Sequence, residues 1–382
     1  AMKLIYCTHS VCNPGGMERV LVNKVSWIVE HTGWEVAVIT TDQKGRPSFY
    51  PFPEKVRRID LGINYSDDNS RNPLAKIAGY LNRRRLHRKR LAEVLMKESA
   101  DIVISLYPSE SSFIPDIKDG SRKVLELHFN KFFRLQYNRC GILGLADRFR
   151  TWQDERIVKR FDRFVVLTEE DKRYWGNLRN MQVIPNAALV PPAYVRRASG
   201  TGVRRVIAVG RLDYQKGFDR LIEAWRIVME DRRFGGWKLD IFGQGEWKPM
   251  LQDMIAEYSL EDSAAIHAPV KDIWKEYAES SFLAMSSHYE GFPMVMIEAM
   301  SCGLPVVTFG YKCGPADIIK DGINGFVVPE GDVEALAFRM KTLMEDDSIR
   351  SGMSREAAKV TRTYSEENVM ARWLGLFRQL AD

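Results

Sequence analysis

The sequence predicts an α/β protein of two doubly wound domains, each a parallel sheet with helices on both faces. Three observations carry that expectation. The chain has 382 residues, more than one compact core of roughly 100–200 residues would use. Short apolar runs alternate with amphipathic segments of helix length, the pattern of βαβ units whose crossovers impose parallel pairing. The alternation lapses once, over 186–202, and then resumes.

The elements follow in order. Lys3–Cys7 is mostly apolar and predicts a buried first strand. Asn13-Pro14-Gly15-Gly16 predicts a tight turn, Met17–Glu30 an amphipathic helix, and Trp34–Thr40 a second strand. Ile102–Leu106, Lys123–Leu127 and Arg163–Leu167 continue the series, so residues 1–185 read as one domain. Proline, glycine and small residues dominate 186–202, which reads as a linker. Arg205–Val209 then predicts a strand, Phe218–Glu230 a helix, Trp237–Phe242 a strand and Pro249–Tyr258 a helix. Ala264–His267, Phe282–Met285, Pro305–Thr308 and Gly325–Val328 complete a second domain over 203–365. Glu366–Leu380, within 366–382, predicts a charged amphipathic helix whose apolar stripe needs a partner surface.

Composition narrows the function classes. A hydrophobic share of 45% and a charged share of 28% are those of an ordinary globular protein. No stretch approaches ~20 apolar residues, so no membrane-spanning helix is expected. A net charge of +6 is modest at this length and does not point to nucleic acid. The five cysteines are odd in number, scattered and without metal-ligand spacing, which favours a reducing cytoplasm over a disulfide framework.

The segment from Glu290 to Glu298 holds the strongest chemical signal. Two carboxylates flank Gly291-Phe292-Pro293, and Pro293 suits the first turn of a helix. Glu298 then falls inside that helix while Glu290 hangs in the loop above, and both are expected at the carboxyl ends of the strands. Taken alone, such a pair also fits two solvated surface glutamates. Upstream, Arg211 and Lys216 stand just past a predicted strand end, between Gly210 and Gly217. They suit a clamp on a departing diphosphate, whose charge needs fixed cations or aligned donors. Gly15 and Gly16, before the first helix, can present backbone N–H groups to anionic oxygen.

These elements together resemble the retaining glycosyltransferase family 4, of GT-B architecture, with two facing Rossmann-like domains and a cleft between them. Glu290 to Glu298 resembles its E-x₇-E signature, and Gly210-Arg211-Leu212 with Lys216-Gly217 resembles its G-R-L-x-x-x-K-G element. Pro14-Gly15-Gly16-Met17-Glu18-Arg19 is similar to its amino-terminal glycine loop. Cys302-Gly303-Leu304-Pro305-Val306-Val307 and the run Asp321 to Pro329 are similar to its A-x-G-x-P-V-V and D-G-x-N-G-x-L-V elements. The matches run in family order from Asn13 to Pro329, essentially the whole chain.

The resemblance implies roles. His128 and Glu290 would contact the transferred sugar, Arg211 and Lys216 the diphosphate, and Glu298 the ribose hydroxyls. Gly291, Phe292 and Pro293 would line the same pocket, and Ala268-Pro269-Val270 resembles a loop whose main chain contacts uracil. Gly15, Gly16 and Gly210 would bring backbone close to the donor. The terminal helix would cross back over the first domain. The donor is expected to be a nucleotide-diphosphate sugar, UDP-linked, carrying a hexose or N-acetylhexosamine. No Asp-x-Asp pair occurs anywhere, so no cofactor and no metal is expected, and charge neutralisation falls to Arg211, Lys216 and backbone dipoles.

The acceptor is less legible. From Arg71 to Arg90, basic residues that include Arg83, Arg84 and Arg88 interleave with apolar ones such as Leu74, Ile77, Tyr80 and Leu81. That pattern fits peripheral contact with an anionic membrane, or an anionic ligand, and equally a solvated helix face. Phe129–Arg150 adds Phe132, Phe133, Tyr137, Ile142 and Leu143 among Lys131, Arg134 and Arg139, as an irregular region or as packed core. A saccharide or polyprenyl-diphosphate-linked acceptor of bacterial surface-polysaccharide assembly fits both segments. The rival readings are a nucleotide-sugar epimerase of the same fold and a non-catalytic sugar-nucleotide-binding scaffold subunit.

Overall fold

The computed structural model describes residues 1–13, 15–68, 73–106, 108–135, 141–193, 195 and 202–382. Pro14, Arg71, Tyr137, Arg139, Cys140 and the linker stretch 196–201 lie outside the described residues, as do the side chains of Leu74, Ile142 and Leu143. The chain divides into two compact units: Ala1–Leu167 with Lys172–Ile184 and Met370–Asp382, and Pro185–Val369 with Thr168–Asp171.

The first unit contains β1 (Lys3–Thr8), α1 (Gly16–His31), β2 (Glu35–Thr40), β3 (Arg57–Asp60), α2 (Pro73–Glu98), β4 (Ile102–Ser105), β5 (Arg122–Glu126), α3 (Gly141–Ile157), β6 (Arg163–Val166) and β7 (Met181–Val183). α4 (Glu169–Trp175) straddles the two units. Seven parallel strands lie in the order β3-β2-β1-β4-β5-β6-β7. The central strands are apolar throughout because helices cover both faces: Leu4, Ile5, Val103, Ile104, Val124 and Leu125 are fully buried.

The second unit begins with β8 (Arg205–Val209), α5 (Phe218–Met229), β9 (Lys238–Phe242), α6 (Lys248–Glu257), β10 (Ala264–His267), α7 (Ile273–Ala278) and β11 (Phe282–Met285). It continues with α8 (Met294–Ser301), β12 (Val306–Phe309), α9 (Pro315–Ile318), β13 (Gly325–Val328), α10 (Val333–Glu345), α11 (Asp347–Ala357) and α12 (Val360–Thr363). Its six parallel strands repeat the same order, β10-β9-β8-β11-β12-β13. Leu221, Ile222 and Trp225 on one stripe of α5 pack into the core against Leu336 and Met340 of α10.

The α/β class expected from the sequence is therefore present, with most boundaries displaced by a residue or two. Two strands went unpredicted. β3 reads Arg-Arg-Ile-Asp and β7 Met-Gln-Val, and both are sheet edges, where charged and polar residues replace the apolar run. The expectation of an irregular Phe129–Arg150 is corrected, since the 17-residue helix α3 starts at Gly141. The last helix, α13 (Glu366–Ala381), sends Trp373, Leu376 and Phe377 into the first unit with at most 1% exposure.

Candidate functional site

Each sheet reverses its strand order once, between β1 and β4 in the first unit and between β8 and β11 in the second. Such a reversal leaves a crevice beyond the carboxyl ends of the strands, because the two neighbouring crossovers depart to opposite sides. Side chains on the loops after these strands are thereby gathered in space, however far apart they are in sequence.

In the second unit the loop after β8 is a stiff turn. A Cβ on Gly210 would stand 2.9 Å from the Lys216 stem, so glycine lets that stem lie flat across the turn. Asp213 accepts the Lys216 N–H at 3.3 Å and caps the short helix Tyr214–Lys216. Gly217 then turns with φ 58°, and a Cβ there would collide with the Ser286 carbonyl. The loop after β11 is sewn to this turn. Ser286 Oγ donates to the Lys216 carbonyl at 3.0 Å, the His288 N–H to the Gln215 carbonyl at 2.8 Å, and the His288 ring stacks on Tyr214 at 4.2 Å.

Lys216 and Glu290 meet at that seam. Glu290 lies in the loop before α8, as the sequence suggested, but is only 6% exposed and not a solvated surface glutamate. Its Oε1 accepts from Lys216 Nζ at 2.5 Å and from Ser287 Oγ at 2.8 Å, while Oε2 accepts from Gln215 Nε2 at 3.2 Å. Gln215 Oε1 in turn accepts from Arg211 Nη2 at 2.6 Å, and the Arg211 side chain is 69% exposed, 3.3 Å from Asp213. A buried carboxylate, a partly buried ammonium and a solvent-facing guanidinium thus form one connected polar network. Gln215 and Ser287 were not singled out from sequence, because neither residue type nor position marks them until the two loops meet.

Glu298, inside α8, is also buried, and the Tyr277 hydroxyl donates to it at 3.5 Å. Burial, followed by the charge of Glu298, pushes the Cys302 thiol up to about 12. Phe292 and Pro293 are buried, Phe292 edge-on to Tyr364 at 5.8 Å, and Gly291 is half-buried beside them. Val270 is 39% exposed on the loop after the edge strand β10. Among the described residues no hydrogen bond joins it to the Lys216–Glu290 network.

In the first unit, His128 follows β5 with a side chain 6% exposed, its Nε2 3.1 Å from Glu126 Oε1. Nε2 is therefore the ring nitrogen that donates to the carboxylate, and Nδ1 is the one left for another partner. The same Glu126 oxygen takes the ammonium of Lys24 from α1, and Lys24 Nζ lies 3.9 Å from the Trp373 ring centroid. Burial opposes ionisation of Glu126, but Lys24 and His128 outweigh it and hold the carboxyl at about 2. Gly15 is the N-cap of α1 and makes no side-chain cap bond, and Gly16 opens the helix. The Glu18 carboxylate folds back over this helix start, where a Gly15 Cβ would stand, and burial raises its pKa. The helix N-terminus expected to receive an anion is thus screened by a carboxylate of its own first turn.

The basic helix is α2. Arg83 is drawn into the fold and donates to the Ile63 carbonyl at 2.8 Å, Arg84 donates to Ser112 Oγ at 2.7 Å, and Arg88 is exposed. Phe132 packs edge-on to Tyr174 at 5.0 Å, and Phe133 stacks on Phe129 at 5.4 Å. Among the described residues no helix is long and apolar enough to cross a membrane.

The family model described as glycosyl transferases group 1 matches residues 196–360. The chain is 38% identical over 389 residues to the amylovoran biosynthesis glycosyltransferase AmsD of Erwinia amylovora, covering 97% of this chain and 98% of that one. Over 164 residues it is 29% identical to the N-acetylgalactosamine-N,N'-diacetylbacillosaminyl-diphospho-undecaprenol 4-alpha-N-acetylgalactosaminyltransferase of Campylobacter jejuni, covering 43% of this chain and 44% of the relative. Among solved structures it resembles a mutant of S. aureus TarM in complex with fondaparinux, alpha-GlcNAc-glycerol and UDP, with a TM-score of 0.75, 16% identity and coverage of 99% and 100%. At that identity the likeness shows the fold, which is GT-B, while the full-length match to AmsD shows the family. The chain belongs to the group 1 glycosyltransferases.

Proposed function

We propose that the protein transfers a hexose or N-acetylhexosamine from a UDP-sugar, with retention of anomeric configuration and without a metal, to a saccharide or lipid-linked acceptor in bacterial surface-polysaccharide synthesis. The observation that carries this reading is the Lys216–Glu290 pair at the strand reversal of the second unit, with Gln215 and Arg211 attached. A departing UDP develops charge on its β-phosphate. A preorganised ammonium, largely withdrawn from water, and a solvent-facing guanidinium meet that charge, an effect worth a few kcal/mol for a desolvated donor. Glu290 suits sugar hydroxyls and Glu298 ribose hydroxyls, because an ionised carboxylate accepts from paired O–H donors. Gly210, Gly291, Phe292 and Pro293 would line the donor pocket and Val270 would flank the base. His128 offers Nδ1 to a hydroxyl, and Gly15 and Gly16 offer backbone N–H groups once Glu18 moves aside.

In the proposed chemistry the acceptor oxygen bonds to the anomeric carbon on the face that UDP leaves. The C–O bond to the β-phosphate breaks with its electron pair, and the leaving phosphate oxygen takes the acceptor proton. Lys216 exchanges its partner Glu290 for the diphosphate in that step, which releases Glu290 to the sugar. Lys216 and Arg211 are the groups at hand to carry the diphosphate charge, and that is the ground for a metal-free route. The names of the relatives support the acceptor class, and the UDP in the TarM structure supports the nucleotide. A bacterial cytoplasmic enzyme, peripheral on the inner face of the membrane, fits that acceptor.

The test is a panel of UDP- and GDP-sugars against saccharide and prenyl-diphosphate-linked acceptors, with mass spectrometry and NMR of the product. Transfer from a UDP-sugar with an α-linkage from an α-donor, undiminished by EDTA, is expected. Isomerised donor without transfer would make the protein an epimerase, and a rate lost to EDTA and restored by Mg²⁺ would refute the metal-free reading.

A further inference from the structure

A cavity of the first unit lies between α2 and α3, with a volume of about 1040 Å³. That is the upper end of the size range, about 300–1,000 Å³, of sites for single small molecules. One wall is a stripe of α2 at helical spacing, Ile77, Tyr80, Leu81 and Arg84. The apolar three are 60%, 52% and 45% exposed, so among the described residues this face is left largely uncovered, with Tyr80 touching the Tyr65 ring at 5.8 Å. The other wall is α3, where Trp152 is 45% exposed and the Arg156 guanidinium lies 3.8 Å over its ring. Among the described residues, six cations line the cavity against one carboxylate, that of Asp154.

Those cations are of two kinds. Arg84, Arg134 and Arg160 are anchored, on Ser112 Oγ, on Asp154, and on Asp116 with the Ser112 carbonyl. Lys76, Arg150 and Arg156 are exposed, and among the described residues they make no ion pair. The lining also includes the polar residues His9, Tyr65, Ser111 and Ser112, and Ser111 is only 2% exposed. An occupant must therefore carry a compact, multiply charged anion, an apolar chain attached to it, and a polar group.

We propose that this groove holds the diphosphate and first isoprene units of a prenyl-diphosphate-linked saccharide, the arginines taking the diphosphate and the Ile77–Tyr80–Leu81 stripe with Trp152 taking the prenyl carbons. The inference rests on the glycosyltransferase reading above and assigns its acceptor a class and a place. Guanidinium groups bind phosphate oxygens bidentately, and a stacked tryptophan offers a large apolar surface at low entropic cost. A bilayer surface fits less well. A membrane meets apolar groups that project outward from one face, whereas here they face one another across a concave space walled by cations.

Farnesyl diphosphate is the probe, titrated into the full-length protein by calorimetry. The native protein should bind it, the exposed-residue variant W152A/R156A at least tenfold more weakly, and the independent variant I77S/R150E likewise, with circular dichroism and UDP binding unchanged in both. Farnesol and inorganic diphosphate should each bind at least tenfold more weakly than farnesyl diphosphate. Equal affinity of native protein and both variants overturns the proposal. So does equal binding of inorganic diphosphate, which would leave an anion site only. Variant-sensitive flotation on phosphatidylglycerol vesicles without farnesyl diphosphate binding would instead make the groove a bilayer contact. Loss of farnesyl diphosphate binding with intact sugar transfer sinks this inference alone, and absence of transfer with intact, variant-sensitive binding sinks the transferase reading alone.

Discussion

Lys216 and Glu290 are 74 positions apart and satisfy each other at 2.5 Å, which makes each the condition for burying the other. Their side chains are 13% and 8% exposed. Removing one partner of such a pair leaves a buried charge uncompensated and costs about 3–5 kcal/mol, whereas replacing both by neutral groups of like shape is often neutral. Lys216→Met should therefore destabilise the protein by roughly that amount and lower kcat/KM at least ~100-fold, the effect of losing one preorganised donor to developing charge. The double variant K216M/E290Q should recover most of the stability and none of the activity. Denaturant titration and initial rates check both, and a K216M enzyme of native rate would end the role of the lysine. The sequence exposed these two residues because glycine spacing fixes the turn around each. It did not expose their pairing, nor Gln215 between them, because that contact exists only once β8 and β11 lie side by side. Lys24 and Glu126 were invisible for the same reason, being 102 residues apart in ordinary strand and helix runs.

At the scale of elements, the loops at the strand reversals hold the buried titratable groups. After β4, Glu110 is 2% exposed and accepts from Ser105 Oγ at 2.5 Å, and burial lifts its carboxyl to about 7 although Ser105 and the backbone bonds pull the other way. The folded value lies above the ordinary 4.5, so its contribution to stability is fully present below pH 4.5 and is lost as pH rises through about 7. Glu110→Gln removes that dependence. The stability of E110Q relative to the native protein should rise by about 3 kcal/mol from pH 4.5 to 8, since a pKa difference of one between the folded and unfolded chain corresponds to about 1.4 kcal/mol. His87, pushed down to about 4 by burial, titrates alike in both proteins and cancels in the difference. Denaturant midpoints at a series of pH values measure it, and parallel curves would mean that Glu110 is not held protonated. Strands in the sheet centres were legible because both faces are buried and the apolar run is continuous. The edges β3 and β7 were not, since one flank of each faces no neighbouring strand and tolerates Arg, Asp and Gln. Helix α3 escaped notice because its aromatic and basic residues line a groove instead of forming a clean apolar stripe.

For the whole molecule, the repeated strand order of the two sheets places one ligand-gathering reversal in each unit, and the chain passes between the units at four points, after Leu167, Asp171, Ile184 and Val369. The last of these is in α13, whose residues from Met370 onward belong to the first unit although 185 residues intervene after Ile184. Sequence announced this helix by its amphipathic stripe, and the family resemblance sent it back to the first domain, but nothing local marks α1 as its partner. Trp373 supplies that contact. It is 1% exposed, under the Lys24 ammonium at 3.9 Å and against Phe377 at 5.4 Å, and Phe377 meets Trp34 at 6.3 Å. Trp373→Ala should cost about 3–5 kcal/mol for the cavity it leaves, with up to ~2 kcal/mol more where a desolvated cation–π contact is lost. That loss should fall on the first unit, since Lys24 holds Glu126 and Glu126 holds His128. Limited proteolysis of W373A should cut first within residues 1–184, while UDP still protects the second unit from thermal unfolding by an amount set by ligand concentration, about 2.7 kcal/mol at a hundredfold excess over Kd. First cuts within residues 203–365, or a variant as resistant as the native protein, would show that the terminal helix does not hold the first unit together.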